Sequence, residues 1–304
     1  MHLVDSGICV CEDGCTLDVP QVYQDLLRRL SAVRTQRLIP NYYILILLFS
    51  IQSGCQPVEN PSIVATDTPP APLITAAQDA TATDPVTPTQ YVAGEEINFT
   101  TSDGLNINGK IYRGGGNLAV LFTHQRGPGM NQKSWQYFAE ELAAKGYTVA
   151  TFNFRGIGKS DGDINLMENL VVEDTLAAIE YLNAEGFDRI VCIGAETGGT
   201  SCLEAAQTHA LDGVVAITAV LSLGEPTSIS DEDLQNLDMP KLFIYSEDNP
   251  FERIPEHMQR MYELSPEPKE LVVFPGEAHG TNMFFASYKD EFRQKLIDFL
   301  QGIE

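Results

Sequence analysis

The chain has 304 residues and a formal net charge of −23, with 42 Asp and Glu against 19 Lys and Arg. So acidic a protein repels nucleic acid and anionic membrane surfaces, and we expect neither as a partner on charge grounds. Hydrophobic residues make up 43% of the sequence. At this length they can fill the core of one large α/β domain with additional segments around it.

Residues 1–55 have the pattern of an export signal. Four Arg precede an apolar run, residues 42–51, which is too short to span a bilayer alone and is followed by small residues. The triplet Ser53-Gly54-Cys55 resembles a bacterial lipobox, whose cysteine becomes the lipidated first residue of the mature protein. The resemblance predicts an extracytoplasmic lipoprotein anchored to a bacterial membrane at Cys55. The alternative is an ordinary hydrophobic anchor.

Two further segments of the N-terminal region are predicted not to form a domain. Residues 1–33 would make an unusually long start to a signal, and we interpret them as an extension from an early start codon or as a discarded piece. Their cysteines, Cys9, Cys11 and Cys15, form a C-x-C-x₃-C cluster with no fourth Cys to complete a metal site. Residues 56–90 are rich in Pro, Thr, Ala and Asp, which predicts a flexible linker.

Residues 91–304 alternate predicted strands and helices, and we assign them to one domain. The predicted strands are 96–100, 107–112, 118–123, 147–154, the run that ends at Ile193, 213–220, 242–245 and 271–274. Helices are predicted up to Ala144, over 167–184, after Gly199, over 256–264 and over 284–301. The first two strands should pair antiparallel. The repeated strand and helix units predict a mostly parallel sheet with helices on both faces and functional groups at the carboxyl ends of its strands.

The sharpest functional signal lies in residues 189–206, where an apolar strand turns directly into a helix. The turn Gly194-Ala195-Glu196-Thr197-Gly198 has the spacing of the nucleophile elbow, G-x-S-x-G. In that motif, glycines flank a strained turn that raises a serine side chain above the sheet, and the next backbone N–H faces the developing oxyanion. Here Glu196 stands at the serine position.

Five segments, in the right order, resemble the α/β-hydrolase superfamily over about two hundred residues. They are VLFTHQRGPGMNQKSW for the oxyanion loop, GYTVATFNFRGIGKSDG for the next strand and turn, IGAETGGTS for the elbow, PKLFIYSEDNPF for the strand of the acid and VVFPGEAHGTNMF for the loop of the histidine. The likeness is greatest to the compact dienelactone-hydrolase-like and serine-aminopeptidase-like esterases. It implies an α/β-hydrolase fold with a minimal cap, residues 221–238, and a small ester or related molecule as substrate or ligand.

The family's catalytic triad runs in the order nucleophile, acid, histidine. By resemblance, His279 is the general base, and the backbone N–H groups of Gln125 and Thr197 form the oxyanion hole. Asn249 stands at the position of the acid, and Asp248, one residue earlier, is the alternative partner of His279. An amide at this position orients the imidazole but does not stabilise the imidazolium as a charge does.

Glu196 excludes ordinary serine-hydrolase chemistry at the elbow, because an ionised carboxylate has no proton for a base to take. Three interpretations stay open. Glu196 is itself a nucleophile, as carboxylates are in relatives that open epoxides or displace halide, or Thr197, Thr200 or Ser201 supplies a hydroxyl. In the third, the protein is a pseudoenzyme that keeps its pocket for a ligand or partner. Glu196 and His279 then form an ion pair, each shifting the other's pKa toward the charged form.

The remaining candidate residues have simpler explanations. Cys192 and Cys202 are predicted to be free thiols in the core, because a secreted domain of this size needs no bridge. Arg126, Arg155 and Lys159 are candidates to bind an anionic group of a substrate, although Arg155 more commonly braces its loop in this family. The sequence has no phosphate loop, dinucleotide fingerprint or complete metal cluster, so we expect no metal and no cofactor.

Overall fold

The structure, a computed structural model, describes residues 92–303 and, before them, the strand residues 2–3, 8–10 and 16–18. The chain divides into two units, Met1–Thr81 and Ala82–Glu304. In the first unit, three short antiparallel strands form a sheet in the order β1 (His2–Leu3), β2 (Ile8–Val10) and β3 (Thr16–Asp18). The predicted apolar signal segment, Cys55 and the linker lie outside the described residues.

The second unit is built on an eight-stranded sheet. Its strands are β4 (Glu95–Thr100), β5 (Asn106–Tyr112), β6 (Leu118–Thr123), β7 (Thr148–Phe152), β8 (Arg189–Ala195), β9 (Gly213–Ile217), β10 (Lys241–Ser246) and β11 (Lys269–Phe274). They lie in the order β11-β10-β9-β8-β6-β7-β5-β4. β4 and β5 pair antiparallel, β5 pairs antiparallel with β7, and all other neighbours are parallel. The predicted opening hairpin and mostly parallel sheet are confirmed.

Seven α-helices lie between or after these strands in the described part of the second unit. They are α1 (Gln136–Ala144), α2 (Ile164–Met167), α3 (Val171–Ala184), α4 (Thr197–Ala205), α5 (Asp231–Gln235), α6 (Arg253–Leu264) and α7 (Lys289–Ile303). Short 3₁₀ turns cover Gln132–Trp135, Glu168–Leu170 and Gly280–Phe285.

Helices cover both faces of the sheet, as the alternation of elements predicts. β6 is buried along its whole length, and its side chains alternate between two hydrophobic cores. Leu121 joins the core under α3, α4 and α6, whereas Phe122 joins the core under α1 and α7. A strand that is apolar on both faces is typical of the centre of a parallel sheet. The β6–β8 pair therefore lies at the middle of the eight-stranded sheet, and the elbow follows β8.

Two predicted boundaries differ from the structure for local reasons. The strand predicted over 213–220 ends at Ile217, because Thr218 has a φ of 49°, which a strand does not tolerate. The helix predicted over 284–301 begins only at Lys289, after the 3₁₀ turn. The predicted minimal cap over 221–238 holds a single five-residue helix, α5, whose N-terminus has a capping box between Ser230 and Asp233.

The prediction of two free thiols is wrong. Cys192 on β8 and Cys202 on α4 form a disulfide, and both residues are fully buried. The elbow folds α4 directly back along the strand it follows, which brings the two Cα atoms to 5.7 Å, a distance that a disulfide spans. The bridge therefore ties the strand before the elbow to the helix after it.

Candidate active site

The elbow has the strained backbone that its spacing predicts. Glu196 lies between β8 and α4 with a φ of 50° and a ψ of −112°, a conformation that non-glycine residues seldom adopt. A Cβ atom on Gly194 would lie 2.3 Å from the backbone of Gly198, and one on Gly198 would lie 2.4 Å from the carbonyl oxygen of Thr123. Only glycine fits at either position. The turn consequently holds the Glu196 side chain at the carboxyl end of the sheet.

The carboxylate of Glu196 is bound from two sides. Its Oε2 accepts a hydrogen bond from the backbone N–H of Arg126 at 2.9 Å and another from the hydroxyl of Thr197 at 2.7 Å. Glu196 also stands at the N-terminus of α4, where the helix dipole favours negative charge. The half-buried anion is thus stabilised by dipoles. The described residues offer it no side-chain cation within ion-pair distance.

The backbone N–H that binds Glu196 belongs to Arg126, the residue after Gln125, whose own N–H is the predicted oxyanion donor. Gln125 is buried, and its side-chain Oε1 instead accepts hydrogen bonds from the backbone N–H of Thr281 at 2.6 Å and from the Thr281 hydroxyl at 3.1 Å. A Cβ atom on Gly280 would collide with that amide. Gln125 therefore fastens the loop that follows β6 to the loop that carries His279, and the N–H of the next residue faces the elbow.

A second histidine, His124, holds the start of the loop that follows β6. His124 is buried, its Nδ1–H donates to the Gln125 carbonyl at 2.8 Å, and its Nε2 accepts from the backbone N–H of Phe154 at 3.1 Å. Burial lowers the pKa of His124 to about 4, against a smaller opposing effect of the Gln125 carbonyl. His124 is neutral at pH 7 and serves as a connector between the ends of β6 and β7.

His279 lies against the predicted acid position. Nδ2 of Asn249 is 3.3 Å from Nδ1 of His279. The orientation of this amide is set by its other contacts, since Asn249 Oδ1 accepts the backbone N–H of Phe251 at 3.2 Å. Nδ2 also meets Ser246 Oγ at 3.3 Å, and that hydroxyl donates to the Ala278 carbonyl at 2.6 Å. The group facing the imidazole is therefore the NH₂ end, a donor.

This direction of the hydrogen bond decides the tautomer of His279. An amide NH₂ has hydrogens to donate and no acceptor, so Nδ1 must accept and cannot carry a proton. A neutral imidazole then holds its proton on Nε2. In a serine-hydrolase triad the assignment is the opposite, because the acid holds the proton on Nδ1 and leaves Nε2 free to accept. His279 thus presents a donor to the cavity that it lines.

The ion pair expected between Glu196 and His279 is not found among the described residues. Burial lowers the pKa of His279, and the nearby negative charge of Glu196 opposes that shift without overcoming it. The expected shift toward the charged form is therefore wrong for His279. The physical reason is that Glu196 is held by Arg126 and Thr197, while Asn249 contributes a dipole and no charge to the ring.

The alternative catalytic side chains are exposed or donate hydrogen bonds to backbone carbonyls. The Asp248 side chain is exposed, and the described residues show no hydrogen bond between it and His279. The Thr200 hydroxyl donates to the Val220 carbonyl at 2.7 Å, and the Ser201 hydroxyl donates to the Gly198 carbonyl at 2.9 Å. Both hydroxyls are fully buried within α4 and its neighbours. None of these groups takes the place of the missing serine.

The three basic candidates divide between the site and the scaffold. The guanidinium of Arg126 forms an ion pair with Glu168 and contacts Asn165 Oδ1 at 3.2 Å. Arg155 is fully buried and bridges Asp174 and Asp103, which confirms its bracing role. Lys159 forms an exposed ion pair with Glu96. Of the three, only Arg126 lines the cavity at the elbow.

Sequence reasoning missed three contributors to the site. Glu168 follows α2 and holds the Arg126 side chain; burial raises its pKa, with Arg126 opposing and Glu196 adding to the shift. Thr218, in its positive-φ conformation, accepts the backbone N–H of Gly280 at 3.1 Å and so positions the residue after His279. Their roles depend on loop paths that no spacing in the sequence encodes. The third is the Arg126 N–H, which binds Glu196 and directly follows the predicted oxyanion donor, Gln125.

A cavity of about 500 Å³ joins these groups. Glu196, His279 and Arg126 line it together with Arg253 and Glu277, and its apolar wall is formed by Pro128, Met130, Val220, Phe251 and Ile254. This size and mixture suit a small organic molecule. No group of three or more His, Cys, Asp or Glu residues with metal-binding geometry occurs among the described residues.

Within the described part of the chain, no helix has both the length and the apolar character that crossing a bilayer requires.

Comparisons with known proteins agree with this architecture. A family model described as "alpha/beta hydrolase fold" matches residues 119–237. The chain is 23% identical over 234 residues to the uncharacterized protein YfhR of Escherichia coli K12, a match that covers 68% of this chain and 81% of that protein.

Two solved structures are similar in fold. The esterase Pf2001 of Pyrococcus furiosus has 18% identity and a TM-score of 0.59, with coverage of 69% of this chain and 91% of the esterase. An alpha-beta serine hydrolase homologue of Coxiella burnetii has 21% identity and a TM-score of 0.54, with coverage of 69% and 99%. At these identities the structural likeness establishes the fold. Together with the match of residues 119–237 to the family model, it shows that the chain has the α/β-hydrolase fold.

Proposed function

We propose that this protein is an exported, lipid-anchored member of the superfamily that binds a small molecule at the elbow and does not perform serine-type ester hydrolysis. One observation carries the proposal. At the position of the nucleophile, Glu196 presents a carboxylate that already accepts the Arg126 N–H at 2.9 Å. The anion therefore stands where the attacking hydroxyl is needed and also occupies a donor suited to the oxyanion of the reaction.

Three requirements of the serine mechanism are not met by Glu196, Asn249 and His279. The nucleophile needs a proton that a base removes, and an ionised Glu196 carries none. The base needs an unprotonated Nε2, whereas the donor Asn249 assigns the proton of neutral His279 to Nε2. The imidazolium needs a neighbouring negative charge, and Asn249 supplies only a dipole. These three conditions support the interpretation of Glu196, Asn249 and His279 as a degenerate triad.

Catalysis by Glu196 as a nucleophile meets a difficulty in its second step. Attack of a carboxylate oxygen on the saturated carbon of an alkyl halide or an epoxide expels the halide or opens the ring, and it forms an ester of Glu196. Release requires water to attack that ester while a base accepts the water's proton. Nε2 of His279 is protonated in the tautomer that Asn249 favours, so this step lacks its base. A protein working this way is expected to stop at the covalent ester.

Export is supported by two independent features. The Ser53-Gly54-Cys55 triplet follows a basic and apolar leader. In addition, the buried Cys192–Cys202 disulfide is the kind of bond that persists in oxidising compartments outside the cytoplasm. Labelling of cells with a fatty-acid analogue tests the anchor. We expect label on the wild type and none on Cys55→Ala, and equal labelling of both would contradict the lipid anchor.

The catalytic part of the proposal is tested with chromogenic esters and a fluorophosphonate probe. We expect the wild-type chain to give no burst, no turnover above its His279→Ala variant and no probe labelling. Turnover that disappears in His279→Ala would contradict the proposal and restore an active hydrolase. A separate incubation with an epoxide or an alkyl halide tests the carboxylate nucleophile, which an ester adduct on Glu196, detected by mass spectrometry in the denatured protein and absent in Glu196→Gln, would support.

A further inference from the structure

Of the two oxygens of the Glu196 carboxylate, the described residues form hydrogen bonds with only one. Both described hydrogen bonds, from Arg126 N–H and from the Thr197 hydroxyl, go to Oε2. Among the described residues, no hydrogen bond or ion pair involves Oε1. The side chain is half-buried and lines the cavity. A partly desolvated carboxylate oxygen is thereby exposed to whatever the cavity binds.

Two candidate counter-ions for Glu196, Arg126 and His279, are committed elsewhere or uncharged. The guanidinium of Arg126, although adjacent, is held by Glu168 and Asn165. His279 is neutral at pH 7, because burial lowers its pKa and Asn249 donates to its Nδ1. The ion pair of Arg126 and Glu168 carries no net charge, so it leaves the negative charge of Glu196 uncompensated. The local field therefore favours a cation beside Oε1.

The aromatic lining of the cavity suits an organic cation more than a hydrated metal ion. Phe251 lines the cavity, is 59% exposed, and packs edge-to-face on the His279 ring at 4.8 Å between centroids. An aromatic ring attracts an ammonium group and also covers an apolar body. The chain's net charge of −23 draws cations toward it and repels anions.

We propose that the cavity binds an organic ammonium ion with an apolar body, whose charged nitrogen pairs with Oε1 of Glu196 and whose body lies against Phe251. This inference rests on the proposed function, since it assigns the site to binding, and it names the ligand class. The Nε2–H of His279 is available to an oxygen acceptor on the same ligand. The opposing possibility is an anion bound by Arg253, which also lines the cavity.

Three probes of similar shape and different charge distinguish a site for an organic ammonium ion from a site for an anion. Phenethylammonium, 2-phenylethanol and 3-phenylpropanoate share an aromatic body and carry a positive, a zero and a negative charge at pH 7. None contains a bond that a hydrolase cleaves, so their binding is independent of any esterase activity. Affinities are measured by calorimetry on the full chain, for the wild type, Glu196→Gln and Glu277→Gln. Glu277 is the matched control, because it lines the same cavity, is exposed, and loses the same charge.

We expect the wild type to bind phenethylammonium about tenfold more tightly than 2-phenylethanol, a difference of about 1.4 kcal/mol. In Glu196→Gln this preference should vanish, whereas Glu277→Gln should keep most of it. Unchanged thermal unfolding of both variants shows that they are folded. The proposal is overturned if the three probes bind equally or not at all, if 3-phenylpropanoate binds best, or if the preference survives in Glu196→Gln. Ester turnover by the wild type would contradict the proposed function. The affinities of the three probes would still decide whether the cavity prefers an organic ammonium ion.

Discussion

Asn249 donates to Nδ1 of His279 across 3.3 Å, so the hydrogen bond between them runs opposite to that of an acid–histidine pair. Neighbouring groups set this direction. The amide oxygen of Asn249 accepts the Phe251 N–H, and the Ser246 hydroxyl donates to the Ala278 carbonyl, so the NH₂ group of Asn249 is the end that faces His279. A single amide thus determines which imidazole nitrogen is protonated. The consequences of this contact can be measured directly.

The tautomer of His279 is the first such consequence. In the wild type above pH 7, nitrogen NMR of labelled histidine should show the proton on Nε2. In Asn249→Asp the carboxylate accepts from the ring, so the proton should move to Nδ1. The exposed neighbour provides the control, since Asp248→Asn should leave the tautomer unchanged. A wild-type ring protonated on Nδ1 would refute the assigned direction of the hydrogen bond.

The pKa of His279 should respond to the two neighbours in opposite ways. It lies below 6.5 because of burial, and the Glu196 charge raises it only in part. Removing that charge in Glu196→Gln should therefore lower the pKa further, whereas adding a charge in Asn249→Asp should raise it. Proton NMR titration of the ring measures both. A rise in Glu196→Gln would show that the two side chains do not interact as the structure indicates.

Acid should destabilise the fold through His124. Its pKa is about 4 in the folded protein against 6.5 ordinarily, so the unfolded chain takes up the proton first as the pH falls. The stability that depends on a neutral His124 is full above pH 6.5 and is lost progressively toward pH 4, by up to about 3 kcal/mol.

Urea unfolding at pH 7, 6, 5 and 4 measures this loss. His124→Gln, which cannot take up the proton, should be less stable at pH 7 and should show a flatter dependence over the same range. An equal slope in both proteins would assign the acid sensitivity to other groups.

The buried ion pair of Arg155 should be costly to break. Asp174 and Arg155 are both fully buried and joined at 2.7 Å. Replacing Asp174 by Asn leaves the buried guanidinium short of a counter-charge, which typically costs about 3–5 kcal/mol. Asp103 contacts the same guanidinium but is partly exposed, so Asp103→Asn should cost clearly less. Chemical denaturation compares them, and equal losses would contradict the difference in burial.

The sequence predicted the scaffold well because its signals are local. The apolar runs placed the central strands, and the glycines at 194 and 198 placed the elbow, since both positions exclude any side chain. Contacts that depend on how loops fold back were harder to predict. The disulfide arises only because α4 returns along β8. For the same reason, the N–H that meets Glu196 belongs to Arg126 and not to the residue before it.

The outcome for the triad positions has the same explanation. The spacing of the motifs singled out Asn249 and His279, and the structure brings their side chains into contact. The prediction of an ion pair between Glu196 and His279 was wrong, because residue types alone do not reveal which donors compete for the carboxylate. Two such donors, the Arg126 N–H and the Thr197 hydroxyl, hold the carboxylate.

Our proposal for the site is that Glu196 and Asn249 together silence the serine-type reaction on an intact scaffold. Its most direct test is the esterase activity of Glu196→Ser, Asn249→Asp and the double variant, measured with one chromogenic ester and compared with the wild type. We predict little activity in either single variant, because each restores one requirement, and a gain of at least about a hundredfold over the wild type in the double variant, which His279→Ala removes. Activity in the wild type equal to that of the double variant would contradict the account.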